Sequence, residues 1–290
     1  MISALWKSFR PSQWVKNLIV FAGLIFSRHF ARGDDVLRSV AAFAVFCALA
    51  SAVYLFNDVH DRDSDRAHPQ KRQRPIAAGT LPVSVALIAA ALLVTVGVLG
   101  AWYLGSPFLL AVLIYLLLNA AYSVALKRVP IIDVMIVALG FVVRAVAGAE
   151  AISVAISPWL IVCTLLLALF LGFGKRRWEL VALGDEALSH RAALAGYSPH
   201  LLDQLIAVTT ASTVVAYALY TLSAETQAKF GTDQLIWTLP FVLFGVFRYL
   251  YLIHGEQKGG NPTSALLRDG PMLVNTILWL LTFLVIISRQ

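Results

Sequence analysis

The chain has 290 residues, 59% of them hydrophobic and 13% charged, with a formal net charge of +7. Its mean hydropathy is +0.78 and its isoelectric point near 9.6. These values exclude an ordinary soluble domain and, with no soluble region left over, make a nucleic-acid partner unexpected. The reading is an all-α integral membrane protein.

The opening stretch MISALWKSFRPSQW lacks the basic, apolar, small-residue order of a cleavable signal peptide, so the first span is expected to stay in the mature protein. Apolar runs able to cross a ~30 Å hydrocarbon core recur at 14–30, 36–56, 83–104, 107–126, 131–150, 157–174, 205–222, 234–253 and 272–288. The expectation is nine transmembrane helices in a single bundle, one domain over 1–290, with a polar cavity on the cytoplasmic side. The first span is the least regular, because Lys16 and Asn17 fall inside it.

After the second span comes YLFNDVHDRDSDRAHPQKRQRPIAAG, from Tyr54 to Gly79. Asp58, Asp61 and Asp65 are spaced i, i+3 and i+7, so a continuing helix sets them on one face. Three carboxylates on one face repel unless a cation lies among them. Hard oxygen ligands of this kind suit Mg²⁺, which completes its shell with water and substrate phosphates. Lys71, Arg72 and Arg74 follow, placed to receive those phosphates. His60 and Asp63 fall off the carboxylate face and are expected in solvent. The loop over 57–82 is the longest, and its HPQKRQRP segment predicts a Pro-broken strap able to cap a cavity.

The loop between spans four and five carries Tyr122, Ser123, Lys127, Arg128 and Pro130, with Asp133 opening the next helix. Lys127 and Tyr122 can serve a phosphate, or act as a snorkelling Lys beside an interfacial Tyr. Arg144 lies near the middle of span five, where a charge needs a polar cavity or a partner. It stands three turns beyond Asp133 on the same face, which predicts a polar cavity wall. Span six ends in GFGKRRWEL, setting Lys175 and Arg176 at a helix end, with Glu179 one turn on. Helix-dipole complementarity is the simpler account of those cations, and phosphate binding the preferred one. Asp185, Glu186, His190, Arg191 and Tyr197 follow in a loop too irregular to assign. The two cysteines, Cys47 and Cys163, read as packing residues, and the histidines offer no zinc-type pair.

Assigning each Lys and Arg to its nearest helix end gives about 17 on the N-terminal side and about five on the other, with Arg144 within the membrane. The N-terminus and the charged loops are therefore expected at the cytoplasmic face of a cell (inner) membrane, where anionic headgroups and phosphorylated substrates would gather.

Asn57-Asp58, Asp61 and Asp65 match an NDxxDxxxD motif, and the chain resembles the UbiA-type superfamily of intramembrane prenyltransferases along nearly its whole length. Within it, RPSQWVKN at 10–17, NDVHDRDSDRAHPQKRQRPIAAG at 57–79, AYSVALKRVPIID at 121–133 and GKRRWEL at 174–180 resemble polyprenyl-phosphate (decaprenyl-phosphate) 5-phosphoribosyltransferases. That resemblance implies Mg²⁺ held by Asn57, Asp58, Asp61 and Asp65, with Asp58 and Asp61 foremost in catalysis. It implies phosphoribosyl pyrophosphate as donor and a polyprenyl phosphate as acceptor, in cell-wall precursor synthesis. Lys71, Arg72, Arg74, Lys175, Arg176 and Glu179 would serve the donor side; Lys16, Asn17, Tyr122, Lys127 and Arg144 would serve the lipid phosphate and the cavity wall. Where the aromatic branch of the superfamily carries a second Asp-rich motif, this chain reads Lys175-Arg176-Arg177-Trp178-Glu179, a basic replacement suited to more phosphate. The alternatives are prenyl transfer from a prenyl diphosphate to an aromatic or other acceptor, and transport of a phosphorylated solute. Carboxylates clustered at one membrane face disfavour the transporter.

Overall fold

The computed structural model describes residues 1–67, 71–183, 192–255, 262, 265 and 268–289. Among them there are helices and no strands. The elements are α1 (Ile2–Phe9), a 3₁₀ helix Pro11–Phe21, α2 (Ala22–Phe26), α3 (Gly33–His60), α4 (Arg62–Ala67), α5 (Val83–Leu104), α6 (Ser106–Val124), α7 (Ile132–Ala151), α8 (Pro158–Leu183), α9 (Pro199–Leu222), α10 (Ala224–Phe230), α11 (Leu239–His254) and α12 (Gly270–Ser288). Eight of these segments are long and apolar enough to cross a membrane: α3, α5 to α9, α11 with its preceding turn from Gln234, and α12. They coincide with the second to ninth expected spans.

The stretch expected to form the first span is different. It is the 3₁₀ helix Pro11–Phe21 running into the short α2. A 3₁₀ spiral has three residues per turn, so positions i, i+3 and i+6 eclipse. Here Trp14, Asn17 and Val20 are those positions, and all three are used: Trp14 Nε1 donates to Ser51 Oγ at 3.1 Å, Asn17 Nδ2 donates to Cys47 Sγ at 3.4 Å, and Val20 is fully buried. The run of three-residue matches, Trp14 and Asn17 against α3 and Val20 against Gly148 of α7, accounts for a tight spiral far longer than its usual few residues.

By internal contacts the chain forms two compact units, residues 1–126 with 139–156, and residues 127–138 with 157–290. The core of the first is built on Val20, Phe46, Leu49, Phe108, Val112 and Tyr115. Small residues let its backbones approach, as in membrane bundles generally. A Cβ on Gly148 would lie 1.9 Å from the carbonyl oxygen of Val20, and one on Gly97 would lie 2.6 Å from Leu49. A second cluster, with Leu55, Ile76, Leu81 and Ala86 at its centre and Leu5 and Phe9 of α1 against it, seats the 74–81 segment. The second unit packs around Phe170, Phe173, Leu202, Ile206, Tyr249 and Ile253. The exposed apolar face of α5, with Ile88, Leu92, Val96 and Leu99, is what a lipid-facing helix requires.

Arg38 on α3 closes two helix ends of the first unit. Its Nε donates to the Ala151 carbonyl at 2.6 Å and its Nη2 to the Leu104 carbonyl at 2.7 Å. Carbonyls at helix C-termini lack intrahelical partners and carry partial negative charge, so one guanidinium satisfies both. Arg38→Met is expected to destabilise the protein by about 2 kcal/mol, read as a lower midpoint of thermal unfolding in detergent. An unchanged midpoint would remove this role.

Candidate active site

The Asp-rich junction is helical almost throughout. α3 ends at His60, Asp61 leaves helical geometry for one residue, and α4 resumes at Arg62. The hydrogen-bond ladder nevertheless continues, from Asp61 N–H to Asn57 O and from Asp65 N–H to Asp61 O, both 2.8 Å. Asp58 and Asp65 are therefore turned to the same side and are buried, 2% and 3% exposed. Asp61 is half-buried. His60 is exposed and Asp63 almost fully so, as expected of residues off that face.

The buried carboxylates are bound by guanidinium groups. Arg74 Nη1 lies 3.1 Å from Asp58 Oδ1 and 2.7 Å from Asp65 Oδ2, bridging them. Arg10 Nη2 donates to the same Asp58 oxygen at 2.5 Å. Nothing in the local sequence pattern around Arg10 singles this residue out. It reaches Asp58 because α1 ends in a left-handed residue, Arg10 itself (φ 54°), which turns the chain into the 3₁₀ helix. Its guanidinium also lies over the Tyr54 ring, 4.9 Å from the centroid. Together Lys7, Ser8, Arg10, Asp58, Gln73, Arg74 and Pro75 line a cleft at this junction. The strap is tied down further by Arg66 Nε donating to Ala77 O at 3.0 Å. Lys71 is half-buried and Arg72 exposed.

Two observations bear on a metal here. Asn57 Oδ1 is buried without a hydrogen-bond partner, an acceptor that a cation would satisfy, and the neighbouring donors are the hard oxygens that divalent ions of the Mg²⁺ class prefer. Against this, no three His, Cys, Asp or Glu side chains among the described residues converge closely enough to hold an ion. The donor chemistry fits a divalent cation, while the positions of Asp58 and Asp65 are set by Arg74.

A second polar cluster of the first unit surrounds Arg144. Its Nε donates to Asn17 Oδ1 at 2.8 Å, Nη2 to the Tyr115 hydroxyl at 3.0 Å and Nη1 to the Gly140 carbonyl at 2.8 Å. The cation also sits 4.6 Å from the Tyr115 ring centroid. These partners are neutral, which solvates the guanidinium without cancelling its charge. Lys16 and Tyr122 are half-buried in the same unit.

In the second unit, Asp133 is fully buried and Arg176 is 4% exposed. Arg176 Nε donates to Asp133 Oδ2 at 2.8 Å, and its Nη1 to Glu179 Oε2 at 2.6 Å. The Tyr197 hydroxyl donates to Asp133 Oδ1 at 2.8 Å. Asp133 and Arg144 share a helix, but Asp133 is taken up by Arg176 and Tyr197. Burial pushes the Tyr197 phenol above its ordinary range, so it remains a proton donor. Lys175 is more open and lies 3.7 Å from Glu179. Arg177 is paired with Asp203, which His254 also approaches at 3.3 Å. Lys127 is half-buried in the 3₁₀ turn Leu126–Arg128. His68, Asp185, Glu186, His190 and Arg191 lie outside the described residues.

The model of the UbiA prenyltransferase family matches residues 18–176, more than half of the chain and including the Asp-rich junction. The chain belongs to this family. It is a transferase. The decaprenyl-phosphate phosphoribosyltransferase of Mycolicibacterium smegmatis is 31% identical, with 97% of this chain and 91% of that protein covered. Its namesake from Mycobacterium tuberculosis is 32% identical over 97% of this chain and 93% of that protein. Among solved structures, a UbiA homolog from Archaeoglobus fulgidus bound to GPP and Mg²⁺ superposes with a TM-score of 0.73 at 19% identity, covering 98% of this chain and 99% of that one. An apo UbiA homolog from Aeropyrum pernix gives 0.65 at 18% identity, with 97% of each chain covered. The fold is thus that of the family, and the membership and apolar helices make this a multi-pass membrane protein.

Because Arg74 bridges two buried carboxylates, Arg74→Gln is expected to cost about 3 kcal/mol, and adding Asp65→Asn should restore most of the loss. Thermal unfolding of the two variants checks this; a neutral single variant would mean the bridge contributes nothing.

Proposed function

We propose that the protein transfers 5-phosphoribose from phosphoribosyl pyrophosphate to a polyprenyl phosphate, with release of diphosphate. The observation that carries this reading is the near full-length similarity to proteins named decaprenyl-phosphate phosphoribosyltransferase. Lys175, more open than the paired Arg176 and Arg177, supports it by offering a cation to a second phosphorylated substrate.

In this reading Asn57, Asp58, Asp61 and Asp65 are the residues that would hold Mg²⁺. When bound, the ion would supply charge neutralisation at the diphosphate. The chain's own cations do the rest. Arg74, with Lys71 and Arg72 on the strap, is placed to exchange carboxylate for diphosphate oxygens. Lys175 is a candidate for a donor phosphate, while Arg176, buried between Asp133 and Glu179, ties α8 to the start of α7. Lys16, Asn17, Tyr122, Lys127 and Arg144 are assigned to the lipid phosphate and the cavity wall. Departure of diphosphate leaves the ribose carbon oxocarbenium-like, and an oxygen of the lipid phosphate adds to it. That nucleophile is already anionic, so no strong general base is needed. Positioning and charge neutralisation carry the rate.

The same reading retains nine crossings in one domain, with the 57–82 strap as cap, the N-terminus and the site at the cytoplasmic face of the cell membrane. A 3₁₀ helix rises ~2.0 Å per residue, so Pro11–Phe21 with α2 would extend ~30 Å if collinear, enough for the first crossing.

A second reading, prenyl transfer from a prenyl diphosphate, is favoured by the fold neighbour that binds GPP and Mg²⁺. Purified protein in detergent with Mg²⁺, decaprenyl phosphate and ribose-labelled phosphoribosyl pyrophosphate decides between them. Mg²⁺-dependent label in the organic extract is the expected result, and label appearing only from a prenyl diphosphate would select the second reading. Asp58→Ala is expected to abolish turnover; full activity in that variant would remove the metal assignment. Lys175→Ala should raise KM for phosphoribosyl pyrophosphate more than KM for the lipid, and the reverse order would move Lys175 to the acceptor.

A further inference from the structure

The turn that leads into α7 carries an unusual backbone. Ile131 has φ 67°, the left-handed region that a β-branched residue rarely adopts. Such a conformation persists only where its surroundings hold it. Two neighbouring residues of the 192–198 segment do so. The N–H of Ile131 donates to the Tyr197 hydroxyl at 2.5 Å, and that hydroxyl in turn donates a hydrogen bond to Asp133 Oδ1 at 2.8 Å. Gly196 lies flush against the preceding residue: a Cβ there would stand 2.3 Å from Pro130 Cγ. Arg176 holds the far oxygen of Asp133 at 2.8 Å, so the acceptor of the phenol is itself fixed.

The chain from Lys127 to Asp133 is thus gripped at Pro130, at Ile131 and at Asp133. Lys127 stands three residues before Pro130, in the 3₁₀ turn Leu126–Arg128 that leads into this gripped stretch. A buried hydrogen-bonded phenol is an expensive device for closing a turn that a glycine at position 131 would close without strain.

We propose that Tyr197 is a positioning residue for the transfer reaction, holding the Ile131 turn so that Lys127 meets the phosphate of the lipid acceptor. This rests on the assignment of Lys127 to that phosphate made above. Tyr197 touches neither substrate and acts through the turn. The phenyl ring of Tyr197 belongs to the apolar core of its unit, so Tyr197→Phe removes the hydroxyl and keeps the packing.

The test is a double-mutant cycle on full-length protein in detergent, with KM for decaprenyl phosphate, KM for phosphoribosyl pyrophosphate and kcat measured for Tyr197→Phe, Lys127→Ala and the pair. The expected result is about a tenfold rise in acceptor KM for Tyr197→Phe, with donor KM and kcat within about twofold, and no further rise when it is added to Lys127→Ala. Gly196→Ala, which pushes Pro130 away by another route, should reproduce the pattern should Tyr197→Phe prove poorly folded. A raised acceptor KM in Lys127→Ala that neither Tyr197→Phe nor Gly196→Ala shares would overturn the positioning role alone. So would additive effects, or a lowered thermal midpoint with unchanged KM. An acceptor KM unmoved by Lys127→Ala would instead overturn the assignment of Lys127, and the role of Tyr197 with it.

Discussion

A carboxylate removed from water in a helical membrane protein must have a cation beside it, and much of this structure follows from that constraint. Asp58, Asp65 and Asp133 are almost entirely buried. Each is met by arginine: Arg10 and Arg74 on Asp58, Arg74 again on Asp65, Arg176 on Asp133. Those pairs decide where irregular chain goes. Arg74 ties the segment from residue 71 onward to the end of α3 and to α4, Arg10 fixes the turn out of α1, and Arg176 ties the start of α7 to α8. The polar junctions are held by charge, and the apolar helices carry them.

Close backbone contact is the second determinant. In lipid there is little hydrophobic force between helices, so packing between small residues must supply the association. The approach of Val20 to Gly148 and of Leu49 to Gly97 shows how far this goes in the first unit. It also explains the 3₁₀ helix there. A tighter spiral aligns Trp14, Asn17 and Val20 in one row, and two polar side chains in that row find partners on α3 that a 3.6-residue period would turn aside.

Arginine and lysine divide the work by their chemistry. The planar guanidinium holds two acceptors at fixed angles, so Arg38, Arg74 and Arg176 each join separate pieces of chain. The lysines of interest are all half-buried, Lys71 and Lys127 in 3₁₀ turns and Lys175 about two turns inside α8, which runs on to Leu183 past the helix end expected there. A flexible ammonium can follow a phosphate. Arg144 belongs to neither group: it lies within a membrane-crossing helix among neutral oxygens and ring faces, which solvate its charge without cancelling it.

The sequence by itself determined the membrane class, eight of the long helices, the family, and the spacing that turns Asp58 and Asp65 to one side. Those are consequences of hydropathy and helical period, which act over neighbouring residues and are legible in order along the chain. Only the tertiary structure decided the rest. Arg10 meets Asp58 across 48 positions and Tyr197 meets Asp133 across 64, distances over which no local pattern speaks. The 3₁₀ form of Pro11–Phe21 depends on what α3 offers opposite it. Arg176 looks in the sequence like Lys175, one more cation at a helix end, and its burial against Asp133 and Glu179 separates the two. Local periodicity fixes which residues share a face; which cation satisfies which buried carboxylate is settled only when distant helices pack.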